Sequence, residues 1–186
     1  PGGAAICGAM LWYPDETIQH AGIVTGLGGY AGHSHKYKKK GGSGYLFRTS
    51  TVQDFSGVTG ACLLVKTAVY DKMHGLDEQF AVAFNDVDFC LRVRDAGYRI
   101  AWTPYAELIH YESKSRGGDE KDPVKAARFA AEQQRLYTIH GKENILDDPY
   151  YNPNLTRDRE DFSESDDLRR LKEGRVTVRF RGGTLQ

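Results

Sequence analysis

Between residues 58 and 111, short apolar runs alternate with segments of helical spacing. Val58 to Val65 is apolar and β-branched around the small pair Gly60-Ala61, and reads as a buried strand. Thr67 to His74 fits a short helix that Gly75 stops. Asp86 to Ala96 carries Val87, Cys90 and Leu91 at helical spacing, with Phe89, Val93 and Ala96 widening the apolar face. Asn85 suits the N-cap of that helix and Gly97 its C-terminal stop. Arg99 to Trp102 reads as a strand ended by Pro104, and Ala106 to Tyr111 as another. Such alternation defines an α/β domain. In open α/β sheets, ligands sit beyond the carboxyl ends of the strands, so functional residues are expected after strands or before helices.

The flanking sequence extends this pattern. Ala4 to Tyr13 is an apolar strand ending at the turn signal Pro14-Asp15, and Thr17 to Val24 reads as a second short strand. Thr25 to Gly44, rich in glycine and containing His33, His35 and Lys38 to Lys40, reads as a long mobile loop. Asp122-Pro123 opens the longest helix, which runs to about His140. After Gly141 the pattern dissolves into a stretch rich in Asp, Asn, Pro and Tyr. The expected division is therefore a domain at 1–141 and an irregular extension at 142–186 that wraps it, with a helical turn near Leu168 to Glu173 and a late strand at Val176 to Phe180.

Composition removes several function classes. Lys plus Arg equals Asp plus Glu, so the formal net charge is zero and nothing in it argues for nucleic acid. No apolar run approaches the roughly 20 residues of a membrane span. Cys7, Cys62 and Cys90 are far apart among apolar residues, without a CxxC pair, and are expected to be buried reduced thiols. The chain opens at Pro1, close to its first apolar run, as a piece of something longer would.

Chemistry concentrates in Asn85-Asp86-Val87-Asp88. With Asn85 as N-cap, Asp88 lies at N3, where its carboxylate can reach back to the cap amide. Acids in a first turn also complement the helix dipole, by roughly 0.3–1 kcal/mol each. Those roles account for Asn85 and Asp88 and leave Asp86, at the front of the helix, without a structural task.

The segment resembles the "ED" motif that opens a helix in GT-A glycosyltransferases of family 2, with Asn85 departing from the glutamate and Asp86 in the aspartate position. Further pieces are similar in order and spacing: Tyr13-Pro14-Asp15, Thr17 to Gly22, Val58 to Val65, Gly75-Leu76-Asp77-Glu78, Ala96-Gly97-Tyr98-Arg99, and His110 to Gly117. Asp148 to Leu155 resembles an ending found in O-antigen and rhamnan-type enzymes. The resemblance implies a partial GT-A (nucleotide-diphospho-sugar transferase) fold, with a mixed sheet, flanking helices and the N-terminal nucleotide-binding half missing. It implies that Asp86 is the general base of an inverting transfer from a nucleotide-diphosphate sugar to a glycan or lipid-linked saccharide acceptor. It makes His110 a ligand of a divalent cation (Mg or Mn) held mostly by the missing half, and Lys114 and Arg116 contacts for the diphosphate.

Thr59, Gly60, Asp77, Asn85 and Asp88 join these as substrate-side candidates; Gly60 for close backbone approach. The family's metal-holding Asp-x-Asp is expected in the missing half, since Asp86-Val87-Asp88 has its letters at the wrong place in the topology; the Gln-x-x-Arg-Trp motif of processive synthases is absent, so addition of one or a few sugars is expected. The expected setting is the cytoplasm, at the inner face of the plasma membrane, with Lys36 and Lys38 to Lys40 available to anionic lipid. An uncovered sheet edge would invite a homo-oligomer. The alternatives are a non-catalytic carbohydrate-binding or assembly module, and a metal-dependent hydrolase using Asp86, Asp88 and His110.

Overall fold

The computed structural model describes residues 3–111, 122–165, 178–180 and 183–185. Its centre is the strand β1 (Ile6–Trp12), buried almost throughout. Successive side chains point to opposite faces and nearly all are buried, so cover on both faces explains its unbroken apolar sequence. On one edge it pairs in parallel with β7 (Ile100–Ile109). On the other it pairs antiparallel with β6 (Leu63–Val65) and, further along, with β2 (Ile18–His20). The short β5 (Gln53–Asp54) closes onto Ala101 and Trp102 of β7. A separate hairpin joins β3 (Ile23–Thr25) to β4 (Ala31–His33), and another joins β8 (Val178–Phe180) to β9 (Gly183–Leu185). The result is a mixed sheet flanked by helices, the α/β class read from the alternation.

The helices are α1 (Thr67–Lys72), α2 (Asn85–Asp95), α3 (Pro123–His140) and α4 (Lys142–Leu146). The start of α3 follows its sequence: Asp122 caps it by accepting from the amide of Val124 at 2.9 Å, and Pro123 takes the first position. Helix α2 buries Val87, Phe89, Cys90, Leu91 and Val93. Trp102 is fully buried beneath it, with its indole N–H donating to the Ala9 carbonyl at 3.0 Å. A second cluster joins Phe84, Val87 and Leu91 to Leu136 of α3 and Ile145 of α4.

Several expectations are revised. Arg99 to Trp102 and Ala106 to Tyr111 are not two strands but one, because the ladder with β1 steps from Ala9↔Thr103 to Met10↔Glu107. Residues 104–106 form the bulge, which is where a proline can interrupt a strand without ending it. Val58 to Val65 is not a continuous strand either: Gly60–Cys62 is a 3-10 turn, capped by the Thr59 hydroxyl, and only Leu63–Val65 pairs. Thr17 to Val24 divides into β2 and β3. The glycine-rich stretch from Thr25 is structured, containing β4 and the buried side chains of Ser34 and His35, whose imidazole stacks on Phe162. Of the cysteines only Cys90 is buried, its thiol pushed up to about 12 by desolvation, while Cys7 and Cys62 are half-buried.

Residues beyond Gly141 form α4 and then, through Ser165, turns and an isolated bridge between Leu155 and Glu164. They are nonetheless part of the core: Tyr151, Leu155 and Phe162 belong to the same cluster as Ile6, Phe55 and Trp102. Asp148, fully buried, accepts from the Thr25 amide at 2.7 Å and from its hydroxyl at 3.2 Å. The expected turn at Leu168 to Glu173 lies outside the described residues.

Gly22 sits at φ +98°, and a Cβ there would stand 2.5 Å from the Phe55 ring. Gly22→Ala is therefore expected to cost between about 1 and 3 kcal/mol through overpacking and backbone strain, read as a lower urea midpoint. Among the described residues no helix is long and apolar enough to cross a membrane.

Candidate active site

The side chains around Asp86 come together at the carboxyl ends of β1 and β7. The amide of His110, the residue after β7, donates to the carbonyl of Trp12, the last residue of β1, at 2.9 Å. His20 pairs with Leu11 from the neighbouring edge. Its Nε2 accepts from the amide of Thr59 at 3.3 Å, and the next amide, Gly60, donates to Asp86 Oδ2 at 2.8 Å. The other carboxylate oxygen, Oδ1, accepts from the amide of Val87 at 2.8 Å. Asp86 is half-buried at the front of α2, fixed by main chain on both oxygens. It thus has a structural contact that the sequence does not disclose, and it stands where a ligand beyond the strand ends would meet it.

The cap of α2 differs from expectation. Phe84 occupies the N-cap position in the left-handed region, at φ 63°, with no side-chain cap. Asn85 is already helical, and its Oδ1 accepts from the Asp86 amide at 2.7 Å. Burial of the Phe84 ring between Tyr30 and Phe129 fixes this arrangement, so packing overrides the capping preference of asparagine.

Asp88 does not reach back to the cap either. It is 1% exposed, with Arg92 Nε at 2.9 Å on one oxygen and His140 Nε2 at 2.8 Å on the other. Burial pushes its carboxyl up, but the hydrogen bonds from His140 and Arg92 and the guanidinium charge hold it below the usual range. Asp88 is a tie between α2 and α3, directed away from solvent.

The remaining candidates separate. Thr59 is buried and its hydroxyl accepts from Ala61. Asp77 accepts from Arg135 at 2.6 Å and from the Gln79 amide at 2.9 Å; the Arg135 hydrogen bond holds its carboxyl low. Lys114 and Arg116 lie outside the described residues. Gly60 is exposed, and a Cβ there would meet Asp86 only at an ordinary 3.5 Å. Gly60→Ala is expected to leave the thermal midpoint within a degree or two of the native chain.

The described residues do not themselves make a metal centre. His110 has an enclosed Nδ1 with no hydrogen-bond partner, an orphan that suits a ligand role. Yet among the described residues no group of three His, Cys, Asp or Glu side chains lies close enough to hold an ion. The trio Asp86, Asp88 and His110 of the hydrolase reading is not such a group.

His20 is the site residue that sequence reasoning passes over. It ends the short strand Ile18-Gln19-His20 and is fully buried. Its Nδ1 lies 3.0 Å from His33 Nδ1, and its Nε2 also accepts from the Gly22 amide at 3.3 Å. Burial, reinforced by His33 and His110, holds its imidazole well below the usual range.

Comparison with known proteins gives a consistent neighbourhood. No family model matches the chain. Over 161 residues, 86% of the chain, it is 48% identical to the uncharacterized protein y4gI of Sinorhizobium fredii, of which this is 18%. Over 150 residues, 80% of the chain, it is 35% identical to the O-antigen biosynthesis protein RfbC of Myxococcus xanthus, of which this is 11%. Over 80 residues, 43% of the chain, it is 32% identical to the N-acetylglucosaminyl-diphospho-decaprenol L-rhamnosyltransferase of Mycobacterium tuberculosis, of which this is 24%. The chain spans less than a quarter of the length of each of these curated relatives. A named glycosyltransferase and a named polysaccharide-synthesis protein thus stand among its relatives.

Proposed function

We propose that this chain is the acceptor-side part of an inverting glycosyltransferase of the GT-A type, working in cell-surface polysaccharide synthesis within a longer protein. The observation that carries the proposal is the placement of Asp86: a half-buried carboxylate beyond the strand ends, on a rigid helix start, held on both oxygens by main-chain N–H groups. That is the geometry a general base requires, since positioning dominates its contribution. In a single displacement, Asp86 takes the acceptor hydroxyl proton as that oxygen bonds to the anomeric carbon. The bond from that carbon to the nucleoside diphosphate breaks, and the configuration inverts. His110, Lys114 and Arg116 would serve the departing diphosphate. A divalent cation would need ligands from outside the described residues.

Two further features support a larger sheet. Beyond Trp102, no described strand pairs with β7 on the side away from β1. Tyr105, Leu108 and Ile109 on that stretch are exposed, as expected of a strand that further polypeptide would pair with and cover. The names of the relatives support a sugar donor and a glycan or lipid-linked acceptor. The test is transfer by the full-length protein from a nucleotide sugar to a lipid-linked saccharide, with the product's anomeric configuration read by NMR. A product of retained configuration would remove the single-displacement reading.

Peripheral membrane contact is part of this proposal. Lys38 and Lys39 are exposed, while Lys40 is held by Glu107 at 2.8 Å and lies over the Trp12 ring. Replacing Lys36 and Lys38 to Lys40 by glutamine is expected to weaken sedimentation with anionic vesicles, and unchanged binding would end the idea.

A second reading, a glycan-binding module without catalysis, has one observation in its favour. A cleft of about 560 Å³ lies at the opposite end of β7, lined by Tyr45, Arg48, Gln53, Asp54, Tyr150 and Asn152 among others. Glycan binding that is independent of donor, in the full-length protein without transfer, would favour that reading.

A further inference from the structure

We propose that His20 is a positioning residue for Asp86, acting through the Thr59-Gly60 turn. The inference deepens the transferase reading, on which the importance of Asp86 rests, but its structural content stands on hydrogen-bond chemistry alone.

The ring orientation follows from its partners. Backbone amides can only donate, and both Gly22 and Thr59 direct theirs at His20 Nε2, at 3.3 Å each. Nε2 is therefore the bare nitrogen, and the proton resides on Nδ1. Nδ1 lies 3.0 Å from His33 Nδ1, so it donates there and the receiving nitrogen of His33 is bare. The two rings meet edge to face at 85° with centroids 5.0 Å apart, as befits a bond made in the plane of one ring. His33 thereby selects the tautomer of His20, and His20 in that tautomer supplies the acceptor that Gly22 and Thr59 need.

The consequence reaches Asp86 along the main chain. Only φ and ψ of Thr59 separate its amide from the Gly60 peptide, so anchoring the one restrains the other. The Thr59 hydroxyl adds a second restraint by accepting from Ala61 at 3.3 Å. Between these two restraints lies the Gly60 amide, which grips Asp86 Oδ2 at 2.8 Å. Because Gly60 has no side chain to anchor it, the aim of its N–H depends on its neighbours. A buried imidazole with no access to solvent thus sets the position of a half-exposed carboxylate more than one shell away. Protonating His20 would put an N–H against two amide N–H groups, and its complete burial opposes that charge.

The test uses the full-length protein, isotopically labelled over this segment, and two substitutions. Glutamine places its amide oxygen near the Nε2 position, whereas leucine fills the space with no acceptor. The readouts are the through-hydrogen-bond scalar coupling between Gly60 nitrogen and the Asp86 carboxyl carbon, and hydrogen exchange at Thr59 and Gly60. H20Q is expected to keep the coupling and the native exchange rates. H20L is expected to lose the coupling and speed exchange at both amides by at least about tenfold relative to the amides of β1. A folded H20L with coupling and exchange intact would overturn the proposal, as would a folded H20Q that loses them. If H20L does not fold, H20Q alone decides between these outcomes.

In the full-length protein, H20L is expected to lower kcat with little change in KM, and H20Q to recover most of it. Absence of transfer even in the native protein, with the couplings behaving as stated, would retire the transferase reading and leave the positioning role in place.

Discussion

Asp86→Asn in the full-length protein is expected to reduce sugar transfer by about 10²- to 10⁴-fold, the range for removing a general base. The substitution is chosen for what it keeps. Asparagine is nearly isosteric, and its amide oxygen still accepts from Gly60, whose N–H now meets the Asp86 carboxylate at 2.8 Å. What it cannot do is take a proton from an attacking hydroxyl. The Val87 amide, now donating to Oδ1 at 2.8 Å, loses its partner, which exposes the helix start to a small stability cost. The measurement is transfer from a nucleotide sugar at saturating acceptor, beside a thermal unfolding curve. Loss of turnover with an unfolding midpoint close to native is the expected pair of results. Native-level turnover would mean that another group takes the proton.

Asp88→Ala has the larger effect on stability, expected at about 3–5 kcal/mol at neutral pH, because it breaks a buried ion pair from one side. The carboxylate joins Arg92 on its own helix to His140 at the end of α3. Arg92 also donates to the carbonyls of Met73 and Gly75, so the tie gathers the end of α1, the length of α2 and the end of α3. Removing it leaves a guanidinium and an imidazole facing a void. The sign with pH is fixed by the direction of the shift. The folded carboxyl titrates below its unfolded value, so its contribution is complete above the unfolded pKa of about 4 and is lost as pH falls through the lower folded value. Urea midpoints of the native chain should therefore fall on acidification below about pH 4, and those of the alanine variant should fall less.

The two neighbouring aspartates show how far sequence carries a site. The spacing around residues 84–92 announces a helix with acids at its front, and the helix is there. Spacing cannot say which acid faces the sheet end and which faces a second helix, since His140 is remote in sequence and only packing brings it to Asp88. The cap falls on Phe84 rather than Asn85 for a related reason: asparagine has the local preference, but burying the Phe84 ring governs the backbone. Pro104 misled in the opposite direction, because a proline that ends a strand and one that sits in a bulge look alike until the partner strand is known. The glycine-rich stretch reads as loose, yet Ser34 and His35 are buried there, and the His35 ring stacks on Phe162 from the far part of the chain. His20 lies inside the Thr17 to Gly22 stretch of the resemblance, which does not single it out, and its meaning is visible only through two amides and a second histidine.

The packing of Tyr151, Leu155 and Phe162 beside Ile6 and Trp102 has a bearing on the order of events during synthesis. Strand β1 must wait for side chains made much later in synthesis before its surroundings are complete. Contacts so distant along the polypeptide make folding slow relative to a chain of local contacts. Until the late segment arrives, Phe55 and the inner face of β1 lack part of their cover, and a nascent chain halted at residue 141 would be a client for chaperones rather than a finished domain.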